Sequence, residues 1–97
     1  MAEERVKARP ILVKCFDEDG KELMNFVFYV RVEEASLLMC HILIKLSGYH
    51  YSGLDVRMGN EIKVNKSDIW NAPAIDECIH SNFSLSKQIQ LTKKIEE

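Results

Sequence analysis

The sequence predicts a small single α+β domain, a mixed sheet packed on one main helix, from three observations. Met24, Phe26, Phe28, Val30 and Val32 fill every even position of one segment, which is the period-two pattern of a strand. Leu37 to Leu46 is a nearly unbroken apolar run closed by Gly48, too long for a typical strand and punctuated as a helix is. Finally, 97 residues of which 46% are apolar and 29% charged, with four glycines and two prolines, suit one globular core and no second catalytic domain.

Each element follows in turn. Residues 1–9 mix Glu3, Glu4, Arg5, Lys7 and Arg9 with small or isolated apolar groups, which predicts a flexible arm, a domain over 10–92 and a frayed charged tail over 93–97. The strand formers Ile11 to Phe16 make the first strand, and Asp17-Glu18-Asp19-Gly20 stops it with a turn. The even-position segment is the second strand. Its odd face also carries Leu23, Val27 and Tyr29, as in a strand partly covered on both sides.

The main helix has Glu33 and Glu34 before it and Lys45 near its end, matching the two poles of the helix dipole. Its apolar positions run nearly all the way round, so it should be covered on more than one side. After Tyr49-His50-Tyr51, two short alternating runs, Leu54 to Met58 and Ile62 to Val64, predict a second hairpin. A three-residue loop from Met58 to Asn60 pairs Val56 with Ile62 and Leu54 with Val64, with Asn60 left-handed and Met58 exposed at the tip. Asn71 can cap a short helix from Ala72 to Ser81 that holds Pro73 in its first turn. The segment from Phe83 to Thr92 fits a strand by its odd apolar positions, although Leu85, Ile89 and Thr92 also keep helical spacing.

The resulting order is strand-strand-helix-strand-strand-short helix-strand. In element order alone it resembles the β-grasp plan of ubiquitin-like domains. The resemblance implies a scaffold and not a conjugation role, because Ile95-Glu96-Glu97 does not match the double glycine through which such modifiers are joined. Folds of this kind host unrelated functions, so function has to come from particular residues.

Thirteen basic and fifteen acidic residues leave a net charge of −2, which argues against affinity dominated by phosphate contacts. Three scattered cysteines, Cys15, Cys40 and Cys78, read as free thiols of a reducing compartment. With no basic-then-apolar leader and no membrane-length apolar run, the expected localisation is cytoplasmic, without membrane contact.

Chemical signatures are weak. Cys40, His41, Cys78 and His80 are potential soft ligands, but neither pair converges on one helix face as zinc ligands do, so no metal or other cofactor is expected. Cys40-His41 is not a catalytic dyad, and the nucleophile-elbow and phosphate-loop motifs are missing. Asp17, Glu18 and Asp19 lack the spaced carboxylates of a calcium loop. No enzymatic activity is expected.

The sequence therefore reads as a protein-protein interaction module, an adaptor, regulator or inhibitor, or a chain that associates with itself. Its partner-binding residues are expected to be Trp70, Tyr49, Tyr51 and Met58, with Arg57 and Lys63 as rim charges. A second reading is a small protein that stacks single-stranded nucleic acid on Tyr49 and Tyr51 beside those basic groups. A third is a zinc- or thiol-dependent site at Cys40, His41, Cys78 and His80.

Overall fold

The computed structural model describes residues 4–83. They form a four-stranded antiparallel sheet with two helices, and the central strand is long enough to hold every other strand. This strand, β1 (Arg5–Phe16), pairs along one side with β2 (Glu22–Arg31). The connecting turn is built by Asp17, whose Oδ1 accepts the backbone N–H groups of Asp19 and Lys21, each at 2.9 Å. Gly20 completes it at φ +80°, a conformation that costs glycine little.

On its other side β1 pairs with two strands laid end to end, β3 (Gly53–Met58) and β4 (Ile62–Asn65). The expected second hairpin is thus corrected. Instead of folding back, the chain continues along β1, with Met58 opposite Ile11 and Ile62 opposite Ala8. Two β1 residues, Arg9 and Pro10, therefore face three, Gly59 to Glu61, and the extra residue makes a bulge. No non-glycine residue among those described has positive φ, so Asn60 makes no left-handed turn. Met58, expected at an exposed tip, is half-buried against the core.

The bulge also reverses the alternation of side chains. Val56 and Met58 lie opposite the buried Val13 and Ile11, whereas Ile62 and Val64 lie opposite Ala8 and Val6, on the other face of β1. Residues 5–9, expected to be a flexible arm, are strand: Arg5 to Ala8 pair with β4, and the Lys66 N–H donates to the Glu4 carbonyl at 2.8 Å.

A 3-10 turn (Val32–Glu34) leads from β2 into α1 (Ala35–Leu46). Its buried residues Ala35, Leu38, Ile42 and Leu46 recur every three or four positions and so make one stripe. A second 3-10 turn (Lys66–Asp68) precedes α2, helical over 72–83 and therefore longer than the sequence suggested. Asn71 caps it as expected, its Oδ1 accepting the Ala74 N–H at 2.9 Å. Phe83 is helical, not the start of a strand, and the rest of the segment expected to be strand, like the tail over 93–97, lies outside the described residues.

Both helices cover the same sheet face. Ile11, Val13 and Cys15 of β1 and Met24, Phe28 and Val30 of β2 meet the α1 stripe and Ile75, Ile79 and Phe83 of α2 in one buried cluster. Each large side chain removed from water there stabilises the fold by about 1.5–3 kcal/mol. All three strand pairings are antiparallel, so among the described residues the expected mixed character is reduced to a single parallel bridge, Tyr29 with Ile69. Among the described residues Leu37 and Ile44 of α1 remain 73% and 70% exposed. No described helix is long and apolar enough to cross a membrane.

Candidate functional site at the outer edge of β2

The site is assembled from two segments that the parallel bridge holds together. Alternation places Val27 and Tyr29 on the sheet face that no described helix covers, opposite Leu12 and Pro10 of β1. The 66–70 segment then runs beside β2, and the Trp70 N–H donates to the Tyr29 carbonyl at 2.8 Å. This bond holds Trp70 at the edge, with its indole set edge-on to Phe28 at a centroid distance of 4.8 Å and an interplanar angle of 78°. Such a contact is favourable for aromatic pairs. Trp70 is therefore half in the core and half in a groove.

The groove encloses about 410 Å³ and is lined by Val27, Tyr29, Asp68, Ile69, Trp70 and Ala74. Its floor is apolar. Val27 of the groove is 39% exposed, and beyond it Leu12 and Ile62 of the same sheet face are 37% and 41% exposed, so the apolar surface extends past the groove itself.

The other residues singled out in the sequence do not gather around Trp70. Tyr49 and Tyr51 pack on Phe83, with centroids at 4.7 and 6.3 Å. Arg57 lies opposite Leu12 on the helix-free face, where its Nε donates to Asp55 Oδ1 at 3.0 Å. Lys63 is exposed on β4 opposite Lys7, and its carbonyl accepts from Arg5 Nη2 at 2.9 Å. The two tyrosines pack on Phe83, and the two cations turn to other partners or to solvent, so among the described residues these four side chains do not gather.

The four potential soft ligands are also parted. His41 on α1 meets Asp76 of α2, Nε2 to Oδ1 at 2.7 Å, and Lys45 Nζ reaches the other carboxylate oxygen at 3.8 Å. His80 Nδ1 lies 3.2 Å from the Tyr49 hydroxyl. Cys40 is exposed and Cys78 half-buried. Among the described residues no three His, Cys, Asp or Glu side chains converge as metal ligands.

All three cysteines are free thiols. Burial pushes the Cys15 thiol up to about 11 and raises Cys78 as well, which disfavours the reactive thiolate at both. A second cavity of about 280 Å³ beside the 17–20 turn includes Asp17, Glu18, Asp19, His50 and Tyr51. Asp17 Oδ1 is already engaged by the turn.

Sequence reasoning found Trp70 but missed Val27, Tyr29 and Ile69. The signal for Val27 and Tyr29 lay in the odd positions of β2, where Leu23, Val27 and Tyr29 are apolar for a surface face. Comparison with known proteins finds no matching family model, no matching curated protein and no matching solved structure.

Proposed function

We propose that the protein is a small non-enzymatic module that binds another protein through the helix-free side of its sheet, centred on the Trp70 groove. The observation that carries this reading is the pairing of an apolar, half-open aromatic groove with a sheet face that no described helix covers. Aromatic anchors set beside polar rims are what protein interfaces concentrate. His41 and His80 face Asp76 and Tyr49, and Cys15 is buried, which accords with a binding rather than a chemical role.

In this reading Tyr49, Tyr51 and Met58 support the core behind the contact surface, and Arg57 and Lys63 flank it. The β-grasp-like succession of strands and helices serves as scaffold. The cytoplasm, where all three thiols stay reduced, is the proposed setting.

The test is photocrosslinking in cells from a benzophenone side chain at Val27, with the same group at Ser36, an exposed position of α1, as control. A discrete heterologous adduct at Val27 and none at Ser36 is the expected result. Adducts only with a second copy would make the module a homodimer, and equal labelling at both positions would refute the reading.

A further inference from the structure

The direction of one hydrogen bond shows how β2 can take a partner. The Trp70 N–H reaches the Tyr29 carbonyl from the side away from β1. In a strand the N–H and C=O of one residue share a side, and successive residues alternate. Asn25 and Val27 therefore also turn their backbone donor and acceptor outward, while Met24, Phe26 and Phe28 bond to β1. Among the described residues no strand pairs with Asn25 or Val27 on that side.

Charge marks both ends of this open stretch. At the far end the 17–22 turn carries Asp17, Glu18, Asp19 and Glu22 against Lys21. At the near end Asp68 is the charged residue lining the groove, and neither Glu22 nor Asp68 has a basic partner within 4.0 Å among the described residues. Building on the protein-binding reading above, we infer that β2 takes up an extended segment of its partner as an added strand, apolar at alternate positions and basic at both ends. Its backbone bonds to Asn25 and Val27, one apolar side chain enters the Trp70 groove, and its cations meet Asp68 and the 17–22 turn. Strand addition of this kind draws affinity from main-chain bonds and specificity from pockets for alternate side chains.

The probe is a blocked octapeptide of alternating valine and threonine between terminal lysines, titrated into the ¹⁵N-labelled full chain and followed by NMR. Saturable shifts and slowed exchange at the Asn25 and Val27 amides, with a shift of the Trp70 indole, are expected. The same peptide ended by glutamates should bind about tenfold more weakly at low salt, an electrostatic preference. Asn25→Pro removes one outward N–H without removing a bond to β1, and should abolish binding. Asp68→Lys, on an exposed turn, should shift the preference toward the glutamate peptide whether or not the proline variant folds. Strand addition is overturned if the lysine peptide fails to bind, maps elsewhere or ignores both substitutions, and equally if the Asn25 and Val27 amides are already protected within a dimer. A Val27 crosslink that persists despite that failure leaves the protein-binding reading standing; loss of both removes it.

Discussion

Pro10 and Gly59 face each other across the point where β3 gives way to β4, and each answers a deficiency of the other. The Gly59 N–H donates to the Pro10 carbonyl at 2.8 Å, but Pro10 has no N–H to return. Arg9 Nε fills the gap by donating to the Gly59 carbonyl at 2.9 Å. A side chain at position 59 would set its Cβ 2.6 Å from Pro10 Cγ, so only glycine lets the backbone pass the ring.

Gly59→Ala should therefore destabilise the protein by about 1–3 kcal/mol, the usual range for overpacking against a rigid neighbour. Urea unfolding measures it. In the Pro10→Ala background the cost of Gly59→Ala should shrink, and equal costs in both backgrounds would show that the ring is not what excludes the methyl group.

The two sides of α1 should respond oppositely to truncation. Ile42→Ala removes a fully buried side chain and should cost about 2–5 kcal/mol. Ile44→Ala, two residues on and mostly exposed, should stay within about 0.5 kcal/mol of the parent. Thermal melts of the two variants make the comparison.

His41, Lys45 and Asp76 join α1 to α2 at a half-exposed position, so Asp76→Ala should cost no more than about 1 kcal/mol. The loss should concentrate in α2. Hydrogen exchange should speed up at residues 75–83 more than in β1, and uniform acceleration would contradict the clasp.

Thiol labelling should follow exposure. A maleimide should modify Cys40 first, Cys78 more slowly and Cys15 only on unfolding, read by mass spectrometry. The raised Cys15 value carries a sign: the folded state resists ionisation, so its contribution is complete below the ordinary value of 9.0 and is lost as pH climbs toward about 11. Cys15→Ala should flatten that alkaline decline relative to the parent.

The elements that were legible in the sequence are those whose pattern is local. Alternation in β2, the run closed by Gly48 in α1 and Asn71 before α2 each state their structure within a few residues. The β3–β4 relationship is not local: alternation on both sides of Gly59-Asn60 looks the same whether the chain turns back or continues straight. Pro10, almost fifty positions earlier, is the residue that marks the break, because a proline inside a paired strand leaves its neighbour a missing donor. The charged residues 5–9 were misread for a related reason, since their order comes from pairing with residues 62–65. In the candidate site Trp70 was visible by type, while Val27 and Tyr29 became part of a groove only once β2 was known to lie at the sheet edge.

Because every described strand is bonded to β1 and none of the others among them to one another, synthesis of the chain imposes an order on assembly. The β1–β2 hairpin and α1 can gather as they emerge from the ribosome, but the first four residues of β1 must wait for residues 62–65 to close their second side. Contacts of such long sequence separation form late and slowly. Residues 5–8 thus gain their second partner late, and pulse-labelled exchange during refolding should find β4 the last of the described strands to be protected.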